Sequence, residues 1–213
     1  VLTGNVSSQY ISGLLLAAPL LAQPSCVQVT GLIESRPYIN LTIQAMKAFG
    51  VEVNVERIPA RDGQPEVTNF RVSSGSYRTP GSVAVEGDWS NAAFFLAAGI
   101  LGRTRDHAVA LLDLDDDSPQ GDKAIIPLLR KFRANVRGGG GFFLSSPSQL
   151  YPAEIDVSEV PDLLPILAVT AAFAKGKSRF TNAARLRLKE SDRLKTCLLY
   201  TSPSPRDMRR SRM

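Results

Sequence analysis

Twice in full, and a third time without the closing strand, the 213-residue chain runs through one series: an apolar helix pattern, a strand pattern, an amphipathic helix pattern and a second strand pattern. In the first pass, residues 7–22 read as a helix capped by Ser7 or Ser8, with Ile11, Leu14, Leu15, Ala18 and Leu21 forming a mostly buried body. Residues 26–30 read as a strand. Ser35-Arg36-Pro37-Tyr38 leads into a second helix, with Pro37 suited to its first turn. Ile39, Ile43, Met46, Ala48 and Phe49 form its apolar face, Gly50 ends it, and residues 51–55 alternate as a strand does. The second pass places helices at 89–101, behind the cap Asp88, and at 120–132, with strands at 107–112 and 134–136. The third begins at Val160-Pro161-Asp162, with a helix at 163–174, a strand at 178–181 and an amphipathic helix opening at Glu190. The two helix starts of each pass lie roughly 30 residues apart, the mark of an internally repeated α/β fold. The apolar helix of each unit belongs inside and the amphipathic one outside.

The segments between passes are turn-rich, at Arg61-Asp62-Gly63-Gln64-Pro65 and Ser73-Ser74-Gly75-Ser76. A domain boundary falls near Glu86, giving domains at 1–86 and 87–196. The net charge of +5 owes much to Arg206, Arg209, Arg210 and Arg212, and no nucleic-acid-binding signature accompanies it. Cys26 reads as a buried strand residue, and with Cys197 it forms neither a disulfide framework nor a metal site. His107 reads as a capping or structural residue. The loop of Asp113, Asp115, Asp116 and Asp117 lacks calcium-loop spacing and reads as a solvated turn. Gly138–Gly141 reads as a hairpin tip; no Lys-Ser or Lys-Thr completes a P-loop. No signal peptide is read, and the apolar run 10–22 is too short to span a bilayer and contains Pro19. The expectation is a cytoplasmic protein with neither membrane nor nucleic-acid partners.

Chemistry concentrates in three places. Ser7, Ser8 and Gln9 offer two hydroxyls and an amide at a helix mouth, where unpaired N–H groups favour an oxyanion such as a phosphate ester. Plain N-capping is the alternative. Ser35 and Tyr38 stand in the corresponding place before the next helix, where a tight turn is the alternative. Asp162 sits against an apolar helix body, as a cap or as a general base. Lys189, Glu190 and Arg193 crowd another helix start, as a charged first turn or as an acid flanked by anion-binding cations. Together these groups supply what an addition–elimination on an anionic substrate needs.

Gly4-Asn5-Val6-Ser7-Ser8-Gln9, Ser35-Arg36-Pro37-Tyr38, Val85-Glu86-Gly87-Asp88, Val160-Pro161-Asp162 and Lys189-Glu190-Ser191-Asp192-Arg193-Leu194 resemble, in order and spacing, the enolpyruvylshikimate-phosphate synthase family. The resemblance implies an α/β enolpyruvyl transferase fold. Two domains of repeated βαβαββ units, only part of each present here, close on the substrate. It implies transfer of the enolpyruvyl group of phosphoenolpyruvate to the 5-hydroxyl of shikimate 3-phosphate, with release of phosphate, on the route to chorismate. Ser7, Ser8 and Ser35 would hold the shikimate phosphate, Gln9 would contact substrate and Tyr38 would line the ring site. Asp162 would deprotonate the 5-hydroxyl and Lys189 would bind near it. Glu190 would serve proton transfer at the enolpyruvyl methylene, and Arg193 would bind phosphoenolpyruvate. No metal or organic cofactor is implied, and the full-length enzyme is expected to be a monomer.

The family's N-terminal substrate loop, its Asn-Gly-rich loop and its C-terminal Arg and Lys have no counterpart in this sequence. The chain is therefore expected to be a fragment truncated at both ends and inactive alone. Residues 197–213 resemble the translation of a sequencing adapter and are expected to be foreign and poorly packed. Two other readings stay open: the sister transferase acting on UDP-N-acetylglucosamine, and a non-catalytic α/β repeat module that binds a phosphorylated ligand.

Overall fold

A computed structural model describes residues 1–5, 7–33, 35–188, 192 and 194–195, excluding the side chains of Arg185 and Leu188. The tail at 197–213, with Cys197, lies outside the described residues. The chain divides into two compact units: Val1–Val85 with Pro119–Gly121, and Glu86–Ser118 with the chain from Asp122 onward.

In the first unit the order is β1 (Leu2–Thr3), α1 (Ser8–Ala17), β2 (Ser25–Thr30), α2 (Arg36–Ala48), β3 (Val53–Ile58) and β4 (Val67–Val72). The sheet order is β1-β2-β4-β3, with β1 parallel to β2 and the other pairs antiparallel. Ile11, Leu15 and Ala18 of the first helical segment meet Ile39 and Met46 of α2 and Val29, Phe70 and Val72 of the sheet in one core.

The helix read at 7–22 is shorter than expected. Pro19 lacks the N–H that an α-helix needs, and the chain tightens into a 3-10 turn at Ala18–Leu20. Leu21 then lies beyond the helical period and is 56% exposed. Leu14, at the edge of the stripe centred on Ile11, Leu15 and Ala18, is 48% exposed. On α2, Ala48 and Phe49 are also exposed, because the helix is ending there and Gly50 turns away with φ 80°. Strand β3 starts two residues later than expected and continues to Ile58, drawn out by its ladder with β4. Strand β4 itself was not expected. Cys26 is exposed rather than buried. It stands opposite Arg71, on the polar face of the sheet shared by Gln28, Asn69 and Glu56.

In the second unit α3 (Trp89–Leu101), β5 (Val109–Leu111), α4 (Ile125–Lys131), β6 (Asn135–Gly139) and β7 (Phe142–Ser146) repeat the same plan. The sheet order β5-β7-β6 reproduces β2-β4-β3, with every pair antiparallel. Asp88 caps α3, its Oδ1 accepting from Ser90 N–H at 2.9 Å. Helix α4 is shorter than the 120–132 expected. Gly121–Ala124 form a 3-10 turn, and Pro127 is tolerated in the first turn of α4, where no N–H is required. The third pass follows in the same unit with β8 (Glu154–Asp156), α5 (Leu164–Ala172) and β9 (Arg179–Thr181), β8 and β9 being parallel. Trp89 meets Phe143 edge to face at 5.1 Å between ring centres, inside a core that includes Leu96, Ile125, Phe132, Ile155 and Leu167.

The repeat extends to single backbone bonds. Gly4 N–H donates to Thr30 O, Gly87 N–H to Asp113 O and Val157 N–H to Thr181 O. Each bond ties the chain ahead of an apolar helix to the end of the next strand. At that strand end a left-handed residue turns the chain: Gly31 (φ 81°), Asp113 (φ 59°) and Asn182 (φ 57°). Gly, Asp and Asn are the residues that enter this region most readily. Three stretches with little shared sequence thus use one device, as an internally repeated α/β fold requires.

Candidate functional site

Because β1 and β2 are parallel and each runs into a helix, α1 and α2 begin at the same end of the sheet. Gly4 lies directly against the backbone of Leu32, so the loop ahead of α1 touches the loop ahead of α2. Behind the two mouths the helices stay joined, with Ser12 Oγ and Thr42 Oγ1 sharing a 2.8 Å hydrogen bond. Two sets of first-turn N–H groups and two positive helix ends therefore lie side by side.

Ser7 caps α1, its Oγ accepting from Gln9 N–H at 3.3 Å. Ser8, the first residue of α1, is 8% exposed. Ser35 is the N-cap residue of α2 and is 4% exposed. It has φ 55° and ψ 37°, left-handed for a residue with a Cβ, and its side chain does not cap the helix. Tyr38 N–H donates to Ser35 O at 3.2 Å, which closes the first turn over it. Ser7, Ser8, Gln9, Ser35 and Tyr38 thus all belong to two adjoining helix mouths. Such mouths bind phosphate and carboxylate groups.

Sequence reading overlooked two charged residues near these mouths. Arg36, the first residue of α2, reaches Glu66 Oε1 at 3.7 Å with both side chains partly buried. Arg36 was legible as a cation at a helix mouth. Its carboxylate partner stands at the head of an unexpected strand. The hollow lined by Pro24, Ser25, Lys47, Glu52, Arg71 and Ser73 lies at the opposite end of this sheet and includes none of the expected residues.

In the second unit Asp162 is the middle residue of a 3-10 turn, Pro161–Leu163, that runs directly into α5. It is half-buried between the buried Pro161 and Leu163. Lys189, Glu190 and Arg193 lie outside the described residues, as does any approach of Glu190 to Asp162. Beside them, Asp192 Oδ1 accepts from Lys195 N–H at 3.0 Å, and its Oδ2 lies 3.4 Å from Arg187 Nη1. That is the bonding of a helix cap.

The fold and the paired helix mouths define an α/β repeat protein of the enolpyruvyl transferase class. The enolpyruvyl transferase NikO from Streptomyces tendae shares the fold, with a TM-score of 0.56 and 15% identity over 78% of this chain and 37% of that one. An EPSP synthase structure from Acinetobacter baumannii matches 92% of this chain and 43% of its own, with a TM-score of 0.66 and 25% identity.

Residues 2–199 match the EPSP synthase (3-phosphoshikimate 1-carboxyvinyltransferase) family model, and the chain belongs to that family. The 3-phosphoshikimate 1-carboxyvinyltransferase of Clostridium novyi is 43% identical over 192 residues, 90% of this chain and 41% of that protein. The protein of that name from Methanocorpusculum labreanum is 41% identical over 197 residues, 92% of this chain and 43% of its own length. The chain spans about two-fifths of the length of the curated relatives it matches.

Proposed function

We propose that the full-length enzyme containing this chain transfers the enolpyruvyl group of phosphoenolpyruvate to the 5-hydroxyl of shikimate 3-phosphate. In the addition, the hydroxyl oxygen bonds to C2 of phosphoenolpyruvate as the methylene gains a proton. In the elimination, the bond to phosphate breaks and the new methyl loses a proton, so phosphate leaves and the carbon–carbon double bond is restored in an enol ether. The observation that carries this reading is the pair of adjoining helix mouths, bearing Ser7, Ser8 and Ser35, in a chain of this family.

In this reading Ser7, Ser8 and Ser35 hold the substrate phosphate, with the first-turn N–H groups supplying further donors. Gln9 contacts substrate and Tyr38 lines the ring site. Asp162 takes the proton of the 5-hydroxyl, and its half-buried place suits a carboxylate that must remain accessible. Lys189 binds near that hydroxyl, Glu190 moves the proton at the methylene, and Arg193 binds phosphoenolpyruvate. The proposed domains are 1–86, carrying the phosphate-binding groups, and 87–196, carrying the acid and base, with 197–213 foreign. The proposed enzyme is a cytoplasmic monomer. Among the described residues no helix is long and apolar enough to cross a membrane.

The test is phosphate release by the full-length enzyme with both substrates, for the unaltered protein and for Ser35→Ala and Asp162→Asn. Loss of shikimate 3-phosphate affinity in the first and loss of kcat in the second is the expected pattern. Full activity in both variants would reject these assignments.

A further inference from the structure

Glu66 grips both ends of the loop that carries Ser35. Its backbone carbonyl accepts from Gly31 N–H at 2.7 Å, where the loop leaves β2. Its carboxylate meets Arg36 at 3.7 Å, where the loop enters α2. Gly31 and Arg36 are thus both held by one residue at the head of β4. Between them, Ser35 is held in a left-handed conformation that residues with a Cβ adopt only when their surroundings impose it. The Arg36 and Glu66 side chains are 20% and 33% exposed, so water only partly screens their attraction.

We infer that Glu66, acting through Arg36, is a positioning residue that sets the Ser35 hydroxyl for the substrate phosphate. The inference rests on the function proposed above and adds to it a positioning pair beside the phosphate-binding hydroxyls. Glu66 touches no reacting atom in this account. Its loss therefore weakens binding of the phosphorylated acceptor and leaves the chemical step and the phosphoenolpyruvate subsite unaffected.

The sign of the effect separates positioning from simple electrostatics. If the pair mattered only through its charge, removing a carboxylate near an anion site would tighten phosphate binding. If Glu66 positions the loop, the same change weakens it. The experiment is Glu66→Gln in the full-length enzyme, with steady-state kinetics varying each substrate in turn. Glu56→Gln serves as the control, because it makes the same charge change in the same sheet, at a residue paired with Arg71 and Asn69 rather than with the loop.

The expected result for Glu66→Gln is a KM for shikimate 3-phosphate raised about tenfold, with kcat and the KM for phosphoenolpyruvate within about twofold of the parent. Arg36→Gln is expected to act in the same direction, and Glu56→Gln to change nothing. Melting curves for each variant verify that the fold is retained. An unchanged or lowered KM for shikimate 3-phosphate in Glu66→Gln would overturn the inference while the parent's activity upholds the proposed function. A folded parent without turnover on this pair of substrates would overturn both.

Discussion

A Cβ built on Gly4 would lie 2.4 Å from the carbonyl oxygen of Leu32. The loop before α1 therefore meets the loop before α2 backbone to backbone, and that closeness holds the two helix mouths side by side. Any larger residue at position 4 must push them apart. Gly4→Ala is expected to destabilise the first unit by about 1–3 kcal/mol, as overpacking does. Gly13, inside α1, has open space where a Cβ would go. Gly13→Ala is expected to stabilise by up to about 1 kcal/mol, because Ala is the better helix former. Urea unfolding of the two variants verifies the opposite signs.

Gly99 of α3 offers a second, internally controlled test. A Cβ there would meet Ser145 Oγ at 2.2 Å. That hydroxyl is fully buried and has no hydrogen-bond partner among the described residues. Gly99→Ala is expected to cost about 1–3 kcal/mol. Ser145→Ala sacrifices no hydrogen bond and is expected to be neutral or mildly stabilising. The double variant should recover part of the loss, a coupling of about 0.5–3 kcal/mol between neighbours. Strict additivity would show that the two positions do not compete for space.

Asp88 gives the cap of α3 a measurable weight. Its Oδ1 accepts from Ser90 N–H, and its Oδ2 accepts from Asn91 Nδ2. Asp88→Ala is expected to destabilise by about 0.5–2 kcal/mol, and Asp88→Ser by less, since Ser also caps well. Chemical denaturation of both variants distinguishes loss of the cap from loss of charge.

Asp156 predicts a pH dependence. Its carboxylate accepts from Ser158 N–H at 2.8 Å and from Asn182 Nδ2 at 2.7 Å. The bonds to Ser158, followed by that to Asn182, hold its pKa below the ordinary 3.8. A lowered folded-state pKa favours the folded chain wherever the unfolded carboxyl has ionised. The contribution is therefore complete at neutral pH and is lost as pH falls through the folded value, below 3.8. Asp156→Ala is expected to lower Tm at neutral pH, with the gap to the parent closing as pH falls below the ordinary carboxylate value of 3.8. A gap constant with pH would show that the carboxylate is not the stabilising feature.

The legible parts of this chain were those whose causes are local. Helix α3 runs from Trp89 to Leu101, where an apolar run follows a capping Asp, and α2 runs from Arg36 to Ala48, with Pro37 in its first turn and Gly50 just past its end. Strands β4 and β8 escaped notice because partners distant in sequence create them, whereas β7 is the unread second arm of the hairpin whose tip Gly138–Gly141 marked. Val67–Val72 becomes a strand by pairing with Ser25–Thr30 and Val53–Ile58. The same distance hid Glu66, whose contact with Arg36 no local pattern announces. Cys26 was misread because an apolar neighbourhood does not say which face of a strand a residue takes. Its register opposite Arg71 puts it on the exposed face. At the site, the hydroxyls and acid were visible as helix-start residues, but the adjacency of two mouths follows only from the parallel pairing of β1 with β2.

The most direct test of the proposed function is acceptor choice by the full-length enzyme. Phosphate release is followed with phosphoenolpyruvate and either shikimate 3-phosphate or UDP-N-acetylglucosamine, beside a second assay of the 213-residue chain alone. Turnover is expected with shikimate 3-phosphate, with none on the nucleotide sugar and none by the shorter chain. Turnover with UDP-N-acetylglucosamine, or a folded full-length enzyme inert toward shikimate 3-phosphate, would contradict the proposed function.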